Sequence, residues 1–245
     1  MPKIRVIPSI LTDGISQVKG ERFDNWRTVG SVQAAIQLFQ VRDVDEIVLL
    51  DVRATSEQRF VDLDLVRAIA SVLRVPLAVG GGVTSVEQIS DLLRAGADRV
   101  VIGSAWYTQP ELISEAAAIF GSQAIICTLD CSESEQLARV AWGATDSAVS
   151  AASRLETLGA GELLLQNTSR DGVMEGMDLA SIEAVSSSVS VPVIAGSGAG
   201  TPQDALEALQ AGASAVAIGA MFQFTPVTPS QVKAHISSQG FEVRV

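Results

Sequence analysis

Short apolar segments alternate with longer amphipathic segments along the whole chain. The short segments are rich in Val, Ile, Leu and Ala and have the length of buried strands; they cover 4–10, 46–51, 76–80, 99–103, 123–130, 162–166, 191–195 and 214–218. The longer segments place apolar residues at helical spacing; they predict helices near 31–40, 57–74, 84–95, 110–119, 146–159, 178–188, 202–211 and 228–239. Eight successive strand–helix units predict an α/β protein with a parallel sheet.

The second half of the chain repeats the first at an offset of 116 residues. The segment Val75–Gly82 returns as Val191–Gly198, and 95–97 returns as 211–213. Two matching halves of four units predict a (β/α)8 TIM barrel with an internal twofold repeat. A doubly wound open sheet is the alternative, and the repeat counts against it. We expect residues 1–245 to form this barrel as one domain.

Composition narrows the possible functions. A net charge of −11 opposes binding to nucleic acid, so no such partner is expected. Cys127, Cys131 and the single histidine, His235, lack metal-ligand spacing, and we expect neither a metal, nor a cofactor, nor Cys–His catalysis. The N-terminus leads directly into the first strand, and no apolar run approaches membrane-span length. We therefore expect a cytoplasmic protein without membrane contact.

Small residues follow four of the predicted strands, at the end where barrel enzymes carry their active sites. The two clusters are Gly82, Gly103 and Ser104 in the first half and Gly198, Gly219 and Ala220 in the second. Such loops offer backbone N–H groups to phosphate, and we expect Asp171 and Gly172 to join the second cluster. The alternative is that the glycines only form tight turns. Two clusters predict a long substrate with phosphate near both ends.

Motifs spread over the chain identify a family. The segments that carry the likeness are 6–8, 18–20, 23–25, 45–51, 79–83, 121–124, 159–162, 170–172, 198–200 and 222–224. On these motifs the chain resembles the cyclase (synthase) subunit of imidazole glycerol phosphate synthase over essentially its whole length. The sister isomerase of the same pathway shares the repeat and the phosphate clusters but lacks the 19–25 loop and the 222–224 ending.

The resemblance implies a function in histidine biosynthesis. In this family the barrel binds a ribulosyl aminoimidazole carboxamide ribotide through its two phosphates, and ammonia arrives through the barrel from a glutaminase partner. Lys19 would contact phosphate from a mobile loop after the first strand. Asp51 matches a family site residue, and its repeat mate is Asn167, so the pair is expected to position substrate rather than transfer protons.

The family uses two aspartates as general acid and base, one after strand 1 and one after strand 5. Asp130 occupies the strand-5 position, but Leu11 stands at the strand-1 position. Asp13 is the candidate substitute, because residues 11 and 13 of an extended segment point to the same side; Asp13-Gly14 is alternatively a plain turn signal. Divergent family members associated with amidation of surface sugars resemble this chain in having an apolar residue there.

Charged residues begin four of the predicted strands. They match a ring that admits ammonia in the family, and they are Arg5, Glu46, Arg99 and Glu162. A purely structural ion-pair ring is the alternative, and burial would require pairing in either case. Asp98 matches a position that contacts the glutaminase.

The leading hypothesis is a synthase subunit that receives ammonia and adds it to a phosphorylated, sugar-derived substrate, either the histidine precursor or a nucleotide sugar. Asp130 is its main catalytic candidate. One alternative is a non-catalytic barrel, degenerate or engineered, that binds phosphate ligands. Another is a phosphosugar isomerase, which would act without ammonia.

Overall fold

A computed structural model describes residues 3–132, 139–140 and 147–244, the short middle piece as backbone only. Within these ranges the strands, numbered β1 to β11, are Arg5–Thr12, Gln17–Glu21, Asp24–Gly30, Ile47–Asp51, Leu77–Gly80, Arg99–Ile102, Ile125–Ser132, Arg139–Val140, Glu162–Asn167, Val193–Gly196 and Ala215–Ile218. Eight of them pair in parallel in the order β1-β4-β5-β6-β7-β9-β10-β11, and β11 pairs with β1. The sheet is therefore closed, and the (β/α)8 TIM barrel prediction is confirmed.

Helices return the chain between the barrel strands. Those described, numbered α1 to α10, are Val32–Gln40, Leu63–Ala70, Val86–Arg94, Ala105–Thr108, Glu111–Phe120, Ala148–Leu158, Leu179–Ser186, Pro202–Gln210, Ala220–Phe224 and Pro229–Ser238. Side-chain caps fix several starts: Thr201 and Thr228 form capping boxes, and Ser31 and Ser85 accept a hydrogen bond from the first turn.

One helix prediction differs clearly from the structure in its bounds. The predicted helix at 57–74 begins only at Leu63, because the Asp62 carboxylate accepts backbone hydrogen bonds from Asp64 and Leu65 and caps the helix there. The short helices α4 and α9 were not expected, and neither was a 3-10 turn at 122–124. Residue 146, where another helix was expected to begin, lies outside the described residues.

An antiparallel hairpin, β2–β3, follows β1 where the sequence predicted a loop. Two side-chain contacts attach it to the end of the chain: Gln17 Nε2 donates to Gln223 Oε1 at 3.0 Å, and the Arg27 guanidinium lies 5.0 Å from the centre of the Phe224 ring. These contacts join the segment after β1 to the 222–224 segment. The hairpin rises from the carboxyl end of β1 and covers part of the barrel mouth.

Alternation along the strands divides the buried residues between two cores. The larger core lies between sheet and helices, and the smaller one fills the barrel with Ile7, Val48, Ala78, Val101, Ile126, Leu164, Ile194, Ala215 and Ala217. This apolar layer separates a charged layer at the amino ends of the strands from a cavity at their carboxyl ends. No helix in the described part of the chain has the length and apolarity needed to cross a membrane.

The strand register supports the superposition of the two halves. Leu11 pairs with Leu50 across β1 and β4, and Asp130 pairs with Gln166 across β7 and β9. Because Leu50 and Gln166 are related by the 116-residue offset, Leu11 and Asp130 occupy equivalent places in the two halves. Strands β1 and β7 are four places apart in a ring of eight, so the two side chains face each other across the mouth.

Candidate active site

A cavity of about 280 Å³ opens at the carboxyl ends of the barrel strands. Both glycine clusters line it, together with Leu11, Asp130 and the hairpin residues Lys19, Phe23 and Trp26. Asp51, Asp171 and Gly172 also belong to the lining. Among the described residues, Lys19 is the only cation on the lining, so a phosphorylated ligand would meet one positive side chain and many backbone groups.

Asp130 stands at the mouth on β7 and is buried, with 9% of the residue exposed. Its Oδ1 accepts a hydrogen bond of 3.1 Å from Nε2 of Gln166 on the neighbouring strand. The carboxylate is thus held between neighbouring strands of the sheet and lines the cavity.

The other side of the mouth is apolar. Leu11 retains 8% exposure and lines the cavity, and so does Leu50, its register partner on β4. A leucine neither gives nor takes a proton, so this wall offers no acid–base group.

Asp13 is placed in a turn and is not part of the cavity lining. Its Oδ1 accepts backbone hydrogen bonds from Ile15 at 3.0 Å and Ser16 at 2.7 Å. The Ser16 hydrogen bond is the main cause that lowers the pKa of this carboxyl. The structure therefore does not bring Asp13 together with Asp130, and it fits the turn interpretation of Asp13-Gly14.

Lys19 is buried at the second glycine cluster. Its Nζ donates to the carbonyl oxygen of Ser9 at 2.9 Å, and it lies so close to Gly219 that a Cβ there would be 2.4 Å away. Burial lowers the pKa of Lys19 to about 8, although the nearby charge of Asp171 acts in the opposite direction. Lys19 thus carries its charge at neutral pH and is close to losing it.

Asp171 lies across the cluster from Lys19. Burial raises its pKa, while the charge of Lys19 and the hydroxyl of Ser197, 3.4 Å away, lower it. The neighbouring Gly172 has φ +74° and approaches the carbonyl oxygen of Gly20 so closely that a Cβ would be 2.2 Å from it. This contact joins the 170–172 loop to the hairpin.

The two glycine clusters have matching backbone geometry. Gly82 has φ +67° and Gly198 has φ +93°, and a Cβ on either would lie within about 2 Å of a carbonyl oxygen, that of Arg59 or Gly176. Gly103 and Ser104 line the cavity beside the first, and Gly219 and Ala220 beside the second. The structure thus brings each predicted cluster together, on opposite sides of the mouth.

Asp51 and Asn167 perform the same local task in the two halves. Asp51 Oδ1 accepts from the backbone of the residues two and three positions on, both at 3.1 Å, and Asn167 Oδ1 does the same at 2.9 and 3.3 Å. Asp51 also pairs with Arg59 through two hydrogen bonds, of 2.5 and 2.9 Å, and Asn167 donates to Asp178 at 2.7 Å. Both side chains are buried and shape the loops that follow their strands.

The four predicted charges form a ring at the amino ends of the strands. Arg5 donates to Glu46 at 2.7 Å and to Glu162, and Arg99 donates to Glu162 at 2.5 Å. The fourth contact, between Arg99 and Glu46, is the longest at 3.5 Å. The ring is closed, and its loosest side lies between Arg99 and Glu46.

Burial and ion pairing shift the pKa values of two ring residues, Arg5 and Glu46, in opposite directions. Burial lowers the pKa of Arg5, but hydrogen bonds and charge from Glu162 and Glu46 outweigh it, so the net change is upward. Burial raises the pKa of Glu46 against the charges of Arg99 and Arg5. The charge of Glu46 is therefore incompletely compensated, and its buried Oε1 accepts no hydrogen bond from the described residues.

Asp98 lies next to the ring and is exposed on the same end of the barrel. Its Oδ2 accepts a hydrogen bond of 2.8 Å from the backbone of Leu77. The carboxylate thus helps to order the start of β5 while remaining open to solvent.

Two residues of the site were missed from the sequence. Gln166, which holds Asp130, differs from its repeat mate Leu50, and that difference was the available signal. Arg59 joins the ends of two strand loops, because it pairs with Asp51 and donates to the carbonyl oxygen of Asp13 at 2.8 Å. It was hidden inside the predicted helix at 57–74.

Comparison with known proteins agrees with this geometry. Residues 5–228 match the family described as histidine biosynthesis protein. The imidazole glycerol phosphate synthase subunit HisF of Thermobifida fusca is 39% identical over 98% of both chains, and that of Corynebacterium glutamicum strain R is 38% identical over the same shares. The HisF subunit of Thermococcus onnurineus is 37% identical over 93% of this chain and 92% of its own. The chain belongs to the histidine biosynthesis protein family, among the relatives of the HisF subunit of imidazole glycerol phosphate synthase.

Proposed function

We propose that this chain is the synthase subunit of an imidazole glycerol phosphate synthase, an enzyme that uses ammonia from a glutaminase partner to close a ring on a bisphosphorylated ribotide. The observation that carries the proposal is the arrangement of the mouth. Two glycine clusters related by the repeat lie on opposite sides of a cavity that contains Asp130 and Lys19. This spacing suits a long ligand with phosphate at both ends.

Ammonia would enter at the opposite end of the barrel. The charged ring separates that end from the apolar interior, and its loosest contact, between Arg99 and Glu46, is where a small neutral molecule would pass. The apolar layer above the ring would favour neutral ammonia over the ammonium ion, because burying an unpaired charge is costly.

The glutaminase would dock on the face that contains the ring. Asp98 is exposed there, and Val41 and Val72 are exposed at the ends of α1 and α2, which lead into barrel strands on this side. Exposed apolar residues beside a charged rim are typical of protein interfaces. Both subunits would work in the cytoplasm.

Asp130 would be the acid–base group of the reaction. Lys19 and the second cluster would hold one phosphate and the first cluster the other, which fixes the reacting part of the substrate above the centre of the barrel. Leu11, which stands opposite Asp130, supplies no proton-transfer group. Asp13 has no part in this scheme, because its carboxylate is engaged in a turn.

The test is an assay of the purified chain with an ammonium salt and the ribulosyl ribotide. We expect ribotide consumption that depends on ammonium, and an increase of about tenfold or more in Leu11→Asp, which restores a second proton-transfer group. Leu11→Asn is the control, since it introduces a polar side chain of similar size without an acid. Consumption without ammonium would favour a phosphosugar isomerase, and no consumption by either protein would favour a non-catalytic barrel.

A second candidate is favoured by Leu11 alone: amidation of a nucleotide sugar with ammonia from the same kind of partner. An apolar wall at this point suits a reaction that needs only one acid–base group. Turnover of the ribotide at the rate of an ordinary cyclase would exclude it. Ammonium-dependent loss of a nucleotide sugar, with no activity on the ribotide, would support it.

A further inference from the structure

One cross-strand pair at the mouth differs completely between the halves. In the second half the pair is Asp130 and Gln166, joined by a hydrogen bond of 3.1 Å. In the first half the equivalent pair is Leu11 and Leu50, and both line the same cavity. At the same register, the second half thus has a polar, hydrogen-bonded pair and the first half has an apolar pair.

The chemistry of the polar pair defines which residue donates the hydrogen bond. An ionised carboxylate only accepts hydrogen bonds, so the amide of Gln166 must turn its Nε2 toward Asp130. A donor to a carboxylate stabilises the charged form relative to the protonated one. It also fixes the carboxylate plane, because β7 and β9 hold both residues on rigid neighbouring strands.

We propose that Gln166 is a positioning residue that orients Asp130 and keeps it ionised, so that Asp130 begins the reaction as a base. The inference rests on the proposed function in so far as Asp130 acts on the substrate. The first half carries neither the acid nor its amide donor, which is the pattern expected if the two residues act as one unit. Gln166 itself contacts Asp130 and lines the cavity; its effect on the reaction passes through the carboxylate.

The experiment compares two substitutions of nearly equal size. Gln166→Met removes the donor, and Gln166→Glu replaces it with a second carboxylate. Without the donor, the acidic limb of the pH profile of kcat should move to higher pH by about half to one unit, since one hydrogen bond contributes roughly one kcal/mol. With Glu the limb should move further, because two adjacent carboxylates share a proton. Leu50→Met, at the same register in the first half, is the matched control and should leave the limb in place.

The proposal is supported if the acidic limb lies at the lowest pH in the wild type, at a higher pH in Gln166→Met and at the highest pH in Gln166→Glu. An unchanged limb in both variants overturns the proposal, even if kcat falls, because a purely structural residue would lower activity without moving the limb. If the wild type has no activity, the proposed function has failed, and the positioning role is then measured without turnover. Carbon NMR of the aspartate carboxyls against pH should show one signal that moves in the same order, and a signal that does not respond to the substitutions overturns the inference.

Discussion

The two halves of this barrel agree in the residues that would bind phosphate and differ in the residues that would move protons. Gly82 and Gly198 share a left-handed backbone and the same close approach to a carbonyl oxygen. The agreement ends at β1 and β7, where Leu11 and Asp130 occupy equivalent places. A twofold scaffold can therefore keep symmetric binding while its chemistry depends on one side only.

The ends of β4 and β9 also differ between the halves, but less than Leu11 and Asp130 do. Asp51 and Asn167 cap equivalent turns, but Asp51 is bound to the cation Arg59 and Asn167 to the carboxylate of Asp178. The shared cap preserves the loop, and the difference in partner changes the local charge. At these positions the two halves therefore share the turn but not the charge.

The largest effect is expected at Asp130. Asp130→Asn keeps the size of the side chain and removes its ability to transfer a proton, so kcat should fall by about 10²- to 10⁴-fold. Steady-state rates with ammonium salt measure it. Leu11→Asn, at the equivalent place in the first half, should change the rate far less, and equal losses in both would remove the asymmetry on which the comparison rests.

The charged ring offers a second comparison between repeat mates. Glu162→Gln removes the acceptor of both arginines and should lower the free energy of unfolding by about 2–4 kcal/mol, somewhat below the value for a fully buried pair because the arginines are partly exposed. Glu46→Gln should cost less, about 1 kcal/mol, because the carboxylate of Glu46 is poorly compensated. Urea unfolding gives both values, and the reverse order would contradict the described ring.

The third comparison is between the glycine clusters. In the described part of the chain, the one lysine on the cavity lining, Lys19, lies at the second cluster. The pKa of Lys19 is lowered to about 8, so Lys19 is charged below that pH and becomes neutral above it. The dissociation constant of the ribotide should rise by about tenfold between pH 7 and pH 9, and bound phosphate should move the midpoint upward because it favours the charged form. Calorimetric titration at several pH values measures it.

Lys19→Met provides the control for that titration. It should bind the ribotide more weakly than the wild type at pH 7, and its affinity should change little up to pH 9. A pH dependence that survives in Lys19→Met would assign the effect to another group.

The smallest effect is expected at Asp51. Asp51→Asn makes the end of β4 resemble the end of β9: the new amide oxygen can still accept the two backbone hydrogen bonds, and only the charge that pairs with Arg59 is lost. We expect kcat to change by less than about threefold and the unfolding free energy to fall by about 1 kcal/mol. A loss comparable with that of Asp130→Asn would mean that Asp51 takes part in proton transfer.

The barrel was predictable because its signals are periodic and redundant. Eight apolar runs, the 116-residue offset and the strand-end glycines each point to the same architecture. The ring of Arg5, Glu46, Arg99 and Glu162 was also expected as a paired set, since buried charges at strand starts need partners. The register then confirmed that Leu11 and Asp130 are equivalent.

What escaped prediction depends on contacts between distant segments. The β2–β3 hairpin has few apolar residues in alternation, and its support comes from Gln223 and Phe224 near the end of the chain. Gln166 has meaning only next to Asp130, and Arg59 only next to Asp51 and the turn at Asp13. The pattern of apolar and polar residues within one segment does not show its contacts with distant segments.

The attachment of the hairpin to the last quarter of the chain sets the order in which the site can be completed during synthesis. Lys19 is synthesised about two hundred residues before Gly219 and Gln223, against which Lys19 and its hairpin are seated, and before the strand that closes the barrel against β1. The nascent chain therefore carries Lys19 long before the backbone against which it is seated exists, and the cavity is complete only when β11 has docked.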